Sequence, residues 1–307
     1  MKNSVVHITV KGKWVEVPAL HIDDRTIVCT GKWIRKAELH DEEWSEPHPF
    51  TDLESFVAKL KNARPNADYF TFAQTVDDPT PRYSSYMERD NVAAIATHSF
   101  ADWWENQLPQ VTRKNVRRSQ KRGVTVSVMP LDDAMIRQVH QLYGQIQVKQ
   151  GSQFAHFGKD FETVKREIST FSDRCEFIGA FHENTLIGFI KMVYMGKVAG
   201  LMHIVTRNED YDKRPANALV TKAVQVCEEK GMSHLIYGKY SYGNKTNSSL
   251  TEYKRRNGFI KMEFPRYFVP LSLKGELIIR LRLHRGRGGI LPCEIINLLL
   301  IMRSGLF

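Results

Sequence analysis

Three apolar segments separated by very short turns constrain the fold of this chain more than any other feature. They cover residues 175–182, 186–194 and 199–205. Because short turns join neighbouring antiparallel strands, the sequence predicts a three-stranded meander here. A strongly amphipathic helix follows, with apolar residues at helical spacing from Ala216 to Cys227 and with Gly231 at the position that ends a helix.

Strand and helix patterns also alternate on both sides of this meander. Upstream lie a strand at residues 124–128, a helix opened by residues 131–133 and a second helix over residues 159–171. Downstream lie a strand at residues 234–237, a short helix that ends at Gly258 and a strand at residues 259–271. We therefore predict an α/β (α+β) fold in which a mixed, mostly antiparallel central sheet is flanked by helices.

A smaller, β-containing region precedes this pattern. The near-copies GKWV (12–15) and GKWI (31–34) lie among β-branched residues, which predicts a small sheet. Asp52 is a candidate N-cap for a helix that ends near Ala63, and residues 77–92 have the composition of a loop or connection. The predicted domains are an N-terminal α+β region (1–110), an α/β domain (111–275) and a basic, apolar C-terminal helical segment (276–307).

Composition narrows the class of protein. With 42% hydrophobic and 25% charged residues, the 307-residue chain is typical of a packed globular protein. We expect no secretory signal and no membrane span, because the longest apolar run, residues 290–302, is interrupted by Pro292, Glu294 and Asn297. The four cysteines are scattered, which predicts no metal site, no disulfide framework and a cytoplasmic location.

The net charge of +10 is concentrated in two segments. Residues 111–122 contain six basic residues and no acid, which gives +6. Residues 274–307 contain six basic residues and two acids, which gives +4, so the rest of the chain is neutral. Positive charge that is concentrated in this way attracts phosphates, nucleic acids or anionic lipids.

The order of elements from residue 124 to residue 271 resembles that of a GNAT acyltransferase domain. Three segments resemble the FemAB-like branch of that superfamily: a basic helix with a glycine and a strand, a loop with a phosphate-facing helix, and a late segment containing lysine and glycine. They are TRKNVRRSQKRGVTV (112–126), DKRPANALVTKAVQVCEEKG (212–231) and YGNKTNSSLTEYKRRNGF (242–259). The resemblance covers about half of the chain and implies an N-acyltransferase of bacterial cell-envelope or polysaccharide biosynthesis.

The loop before the amphipathic helix is the candidate site for the phosphates of an acyl-CoA donor. A helix N-terminus offers unpaired N–H groups, Lys213 and Arg214 add positive charge, and small residues permit close approach. The predicted acyl-CoA site comprises Lys213, Arg214, Ala216, Asn217, Ala218, Asn244 and Lys245. The arginine or glutamine with two glycines that is usual in GNAT proteins is missing here, and a plain helix start with solvated charges is the alternative.

Catalytic and acceptor-binding residues are assigned from chemistry and from the resemblance. The resemblance implies that Lys254 neutralises phosphate or the oxyanion of a tetrahedral intermediate. His203, Asp212 and Glu252 are candidate general bases, although a histidine on an apolar strand also suits a packed core. Tyr242 is a further catalytic candidate in a run rich in hydrogen-bond donors. The predicted substrate-binding residues are Lys149, Gln150, His156, Arg117 and Lys121.

The sequence thus predicts transfer of an acyl or aminoacyl group to an amine on a small-molecule or lipid-linked acceptor. The favoured donor is acyl-CoA, which needs a compact pyrophosphate site. The alternative is aminoacyl-tRNA, which FemAB-like peptide ligases use and which needs a wide basic surface. The non-enzymatic alternative is a nucleic-acid-binding or adaptor protein on the same fold. The C-terminal segment is predicted either to pack as a helix or to contact anionic membrane lipids.

Overall fold

The fold is given by a computed structural model that describes residues 3–10, 13–46, 49–76, 78–149, 151–241 and 248–286. The strands in this part are β1 (Asn3–Val10), β2 (Lys13–Ile22), β3 (Arg25–Thr30), β4 (Lys36–Leu39), β5 (Tyr69–Ala73), β6 (Met87–Ala96), β7 (Thr125–Met129), β8 (Val148–Lys149), β9 (Ser152–Gln153), β10 (Cys175–His182), β11 (Thr185–Met195), β12 (Val198–Thr206), β13 (His234–Ile236) and β14 (Ile260–Pro270). The helices are α1 (Leu53–Asn62), α2 (Phe100–Asp102), α3 (Gln110–Lys121), α4 (Asp133–Gly144), α5 (Phe161–Ile168), α6 (Pro215–Glu229), α7 (Ser249–Arg256) and α8 (Leu273–Arg280). Short 3-10 helices lie at Glu42–Trp44, Asn208–Lys213 and Leu283–Arg285, and a π-helix lies at Trp103–Gln107.

The chain forms two compact units, and each unit is discontinuous in sequence. As far as their residues are described, the first comprises Met1–Val92, Ser241–Ser248 and Met262–Phe307, and the second comprises Ala93–Tyr240 and Ser249–Lys261. The predicted domains 1–110, 111–275 and 276–307 are continuous segments, and their boundaries stay a prediction.

The first unit confirms the small sheet expected near the N-terminus. Its strands follow the order β1-β2-β3-β4-β5-β14, and neighbours are antiparallel except for the parallel pair β4 and β5. Helix α1 is capped by Asp52, whose carboxylate accepts from Ser55 N at 2.9 Å. Phe56 and Leu60 of this helix pack into one core with Phe70 of β5.

Two stretches of the chain differ from the sequence prediction. Residues 77–92 were predicted to form a connection, but strand β6 begins at Met87. Its first residues are charged, and they continue without a break into the buried residues 92–95, which belong to the same strand. Residues 31–34, the second near-copy, form a turn rather than a strand. The predicted helix over residues 290–301 lies outside the described residues.

The second unit contains the predicted meander. Its strands follow the order β6-β13-β12-β11-β10-β7, and every neighbouring pair is antiparallel except β12 with β13. Successive residues of β11 face opposite sides, so Ile190 packs with α6 and Phe189 packs with α4 and α5. The predicted mixed, mostly antiparallel sheet flanked by helices is therefore confirmed.

Candidate active site

The sheet of the second unit opens between β12 and β13. These parallel strands pair over only three residues of β12, from Val198 to Gly200. Beyond that point β12 stays paired with β11, whereas the chain after β13 stays bonded to β6. The strands therefore separate, and a wedge forms between residues 201–206 and residues 237–240. Within the described chain, the β12 backbone groups that face this wedge have no strand partner and are available to a bound group.

A β-bulge lies in β12 beside the wedge. Lys191 of β11 pairs with His203, and the next pair joins Met192 to Leu201, so Met202 is the extra residue. A bulge bends its strand and re-aims the side chains next to it. The bulge therefore sets the direction of the His203 imidazole.

The helix that follows the wedge begins without a capping side chain. Arg214, the residue before α6, has a left-handed backbone with φ 57° and ψ 41°, and Pro215 comes next. The side chain of Arg214 does not cap the first turn, in which Pro215 has no N–H and Asn217 N donates to the carbonyl of Arg214 at 3.2 Å. Ala216 is partly exposed beside this turn, whereas Ala218 is buried. An uncapped helix N-terminus, with its positive dipole end, is suited to an anionic group.

The two predicted phosphate ligands beside this helix start have different surroundings. Lys213 Nζ lies 3.0 Å from the buried carboxylate of Asp210, which also accepts from Arg207 Nε at 2.5 Å. Burial alone would raise the pKa of Asp210, but these hydrogen bonds hold it below its usual range. Arg214 lies over the Tyr211 ring at 4.6 Å, and its buried Nε has no hydrogen-bond partner in the described part. The positive charge of Arg214 is therefore less neutralised than that of Lys213, so Arg214 is better able to bind an anion.

Helix α3 packs against α6 and carries the predicted basic face. Two cations are paired: Arg113 of α3 with Glu105, and Arg122, which directly follows α3, with Asp212. The exposed cations of α3 that form no ion pair with a described residue are Lys114, Arg117, Arg118 and Lys121. The predicted residues Arg117 and Lys121 thus belong to a cationic surface that extends to the loop before α6.

Lys254, the predicted electrostatic catalyst, is buried in α7. Its Nζ donates to the carbonyl of Lys239 at 2.6 Å and lies 4.7 Å from the centre of the Tyr237 ring. Both partners lie on the segment that borders the wedge, so Lys254 holds that segment in place. Directly after α7, Asn257 Oδ1 accepts from Asn217 Nδ2 at 2.9 Å, which joins this end of α7 to the start of α6. Contact of Lys254 with a phosphate or an oxyanion stays a prediction.

A cluster of polar and aromatic side chains adjoins β12 near the wedge. The ring centre of His203 lies 5.8 Å from that of His156, which stacks on Tyr143 at 4.6 Å. His156 Nδ1 lies 3.2 Å from a carboxylate oxygen of Glu167, and the same carboxylate accepts from Lys159 at 2.6 Å. The fold thus brings together His156 and His203, two predicted site residues that are distant in sequence.

Burial sets the protonation state of this cluster. Desolvation and, after it, the charge of Lys191 lower the pKa of His203 to about 3, so its imidazole is neutral at pH 7. The ring of His203 forms no hydrogen bond within the described residues. Burial also raises the pKa of Tyr143, whose hydroxyl has no partner in the same part of the chain. The His203 imidazole is therefore neutral, whereas the Tyr143 hydroxyl is buried and unbonded within the described residues.

Lys191, which was not among the predicted site residues, is fully buried beside His203. Its Nζ donates to the carbonyl of Ile168 at 2.8 Å and to the carbonyl and hydroxyl of Thr170 at 2.6 and 2.7 Å. Burial lowers the pKa of Lys191 to about 8. A cation at this position caps the C-terminal end of α5. The available signal was a lysine inside the otherwise apolar strand TLIGFIKMVYM.

The other predicted residues divide between the cluster and the undescribed part of the chain. Lys149 lies in β8 with its Nζ 5.6 Å from the Phe154 ring, and burial lowers its pKa. The Phe154 ring lies 5.2 Å from that of His156, so Phe154 connects Lys149 with the cluster. The predicted residues outside the described ranges are Gln150, Tyr242, Asn244 and Lys245.

Two further findings concern the described ranges. Among them, no group of three or more histidine, cysteine, aspartate or glutamate side chains is placed to hold a metal ion. No helix in the same ranges is long and apolar enough to cross a membrane. The candidate site consists of the wedge backbone, the start of α6, the α3 cations and the His203 cluster.

Comparison with known proteins finds structural likeness without sequence likeness. No protein-family model and no curated protein matches the sequence. FemX matches with a TM-score of 0.61 and 10% identity, over 91% of this chain and 90% of that one. L-PGS from Bacillus licheniformis matches with a TM-score of 0.56 and 12% identity, over 88% and 90%. A C-terminal domain from Agrobacterium fabrum, assigned to a lysylphosphatidylglycerol synthetase, matches with a TM-score of 0.55 and 12% identity, over 86% and 88%.

These likenesses establish the fold of the chain. Each match extends over nearly the whole of this chain and of the matched structure, and FemX is one of these structures. The chain therefore has the fold of FemX, in agreement with the FemAB-like resemblance of the three sequence segments. At such low identity the comparison assigns no role to any residue.

Proposed function

We propose that this protein transfers an acyl or aminoacyl group from an activated donor to an amine. The wedge carries this proposal, because it lies between an uncapped helix start and a strand that presents the neutral imidazole of His203. An acyl group in the wedge has an anion site for its carrier on one side and a polar cluster for the amine on the other. The fold supports the proposal, since one matched structure is named for lysylphosphatidylglycerol, a lipid that bears an amino acid.

The proposed reaction is direct attack within a ternary complex. The amine nitrogen attacks the carbonyl carbon, a C–N bond forms, and the C–O or C–S bond to the carrier breaks. The amine loses one proton, and the departing oxygen or sulfur gains one, so the step balances. His203 accepts a hydrogen bond from the amine and orients its lone pair, while unpartnered β12 N–H groups stabilise the oxyanion.

We further propose that the donor is an aminoacyl-tRNA. Four cations on the exposed face of α3 form no ion pair with a described residue, and Arg214 extends this surface at the start of α6. Cations spread over a helix suit a nucleic-acid backbone, which releases counterions when it is neutralised. Lys213 is neutralised by Asp210, which weakens a compact pyrophosphate site.

Acyl-CoA is the second candidate donor, and the start of α6 favours it. No side chain of the residue before the helix caps the first turn, and the small, partly exposed Ala216 permits close approach of a pyrophosphate. This candidate needs few cations, so it does not explain the exposed face of α3.

The transfer reaction is tested with radiolabelled donors and simple amines. The full-length protein is incubated with mixed aminoacyl-tRNA or with acetyl-CoA, together with L-lysine, glucosamine or ethanolamine, and labelled amides are counted. We expect amide formation faster than spontaneous aminolysis with aminoacyl-tRNA. If neither donor forms an amide above that background, the transferase proposal is wrong.

The donor is tested by binding. Replacing Arg117→Gln together with Lys121→Gln should weaken tRNA binding about tenfold and reduce the salt slope by about 2, as expected for two lost phosphate contacts. The control pair Lys61→Gln and Lys197→Gln removes the same charge from exposed positions outside α3 and should change little. Equal effects of the two pairs would mean that tRNA responds only to net charge, which contradicts a defined donor surface on α3.

A further inference from the structure

Helix α8 exposes a row of leucines. Leu273, Leu277 and Leu281 are 85%, 55% and 55% exposed, and their i, i+4, i+8 spacing places them on one face. The opposite face carries Ile278 and Ile279, which are buried in a core cluster. The helix is therefore apolar on two sides, and residues that the structure describes cover only one of them.

An exposed tryptophan adjoins this leucine row. Trp33 is 79% exposed and lies in the turn after β3. Lys274 of α8 donates to the carbonyl of Trp33, and its Nζ lies 5.9 Å from the centre of the indole ring. We call Trp33, Leu273, Leu277 and Leu281 the leucine-tryptophan surface. Large apolar side chains clustered on a protein surface commonly mark a binding face.

Basic residues surround the leucine-tryptophan surface. Lys32, Arg280 and Arg282 are exposed and form no ion pair with a described residue. Lys274 is partly neutralised by Asp68 at 3.1 Å, and Glu276 is an acid on the same helix. The rim is therefore positive around an apolar centre.

We propose that the leucine-tryptophan surface binds an anionic lipid bilayer. Leucines on one helix face enter the boundary between headgroups and acyl chains, an indole suits the same depth, and basic side chains pair with anionic headgroups. The positive rim is what favours a lipid surface over an apolar protein partner, because it complements phosphate charge. This proposal is independent of the transferase activity and concerns the first compact unit alone.

The test uses the full-length chain and vesicles. Co-sedimentation is measured with phosphatidylcholine vesicles and with vesicles that also contain phosphatidylglycerol, at low and high salt. We expect binding to the anionic vesicles that weakens with salt. Replacing Leu277→Gln together with Leu281→Gln should reduce partitioning about tenfold or more, because it removes apolar area from the contact. The control Val5→Gln, at a 61% exposed position of β1, should leave partitioning unchanged.

Tryptophan fluorescence gives a second readout. The exposed indole of Trp33 should move to shorter emission wavelengths on binding, and this shift should disappear in Trp33→Phe. If the leucine variant partitions like the unmodified protein, another part of the chain contacts lipid and the proposal is wrong. If the variant instead loses thermal stability, or the unmodified chain forms a concentration-dependent dimer that the variant does not, the leucine row is covered by protein and the proposal is equally overturned.

Discussion

His203 and Lys191 occupy paired positions on neighbouring strands, and burial lowers the pKa of both. Their surroundings nevertheless give them different tasks. Lys191 Nζ has three acceptors and is sealed from solvent, so it fixes the end of α5. His203 has no hydrogen-bond partner in the described chain and lies next to the wedge, so it is the residue that can respond to a substrate.

Replacing His203→Gln should slow turnover by about tenfold or more while leaving donor affinity unchanged, because the residue acts on the amine. The control His182→Gln removes another imidazole from the second unit and should keep full activity. Turnover at the unmodified rate would remove His203 from the candidate site.

The same variant should change the acid sensitivity of the fold. The unfolded imidazole titrates near 6.5, whereas folded His203 titrates at about 3. Between these values the unfolded state binds a proton that the folded state does not, so stability falls as the pH falls, by at most about 1.4 kcal/mol per pH unit. The free energy of unfolding, measured with denaturant, should therefore fall less between pH 7 and pH 4 in His203→Gln than in the unmodified protein. Parallel curves would mean that the histidine is not desolvated.

Lys191→Met should lower the free energy of unfolding at pH 7 by about 1–3 kcal/mol, because the buried carbonyls of Ile168 and Thr170 lose their donor. The pH dependence has a definite sign. Between pH 8 and 10.5 the unfolded lysine holds more protons than folded Lys191, so the unmodified protein gains stability relative to the variant as the pH rises. The control Lys165→Met, at a partly exposed lysine of α5 paired with Asp133, should lower the free energy of unfolding much less. Equal losses in chemical denaturation would contradict the capping role of Lys191.

At the scale of elements, the start of α6 shows that a charged residue in the sequence can be neutralised by a neighbour in the fold. Lys213 and Arg214 are adjacent in the chain and were predicted to act together. The 3-10 helix before α6 brings Asp210 to Lys213 at i, i+3, whereas the left-handed backbone at Arg214 aims its side chain elsewhere. Sequence spacing alone does not reveal this, because it depends on the conformation of the loop.

The backbone at Arg214 allows stability and function to be separated. Arg214→Gly should raise the free energy of unfolding by up to about 1 kcal/mol, because glycine adopts a φ of 57° without strain. The same change should weaken donor binding about tenfold by removing a charge-assisted contact. Arg64→Gly is the matched control, since Arg64 has a φ of 48° and lies in the other compact unit. It should stabilise the protein equally and leave donor binding unchanged. A lower free energy of unfolding in Arg214→Gly would show that the Arg214 side chain stabilises the fold, which contradicts a role confined to donor binding.

At the scale of the molecule, the sequence predicted the parts whose patterns are local and long. The meander and α6 were predicted correctly because their apolar periodicity extends over many residues. Strand β6 was missed because charged residues begin it, and the hairpin of β8 and β9 was missed because each strand has only two residues. The His203 cluster depends on α4, α5 and β12 meeting in space, so its residues were found singly and its geometry was not.

The wedge has a consequence for how the sequence of this protein can change. It exists because backbone pairing between β12 and β13 stops after three residues, and this pattern is compatible with many side chains. Substitutions that preserve the backbone pairing therefore leave the opening in place. Natural selection for what enters it then acts on the few side chains at its border.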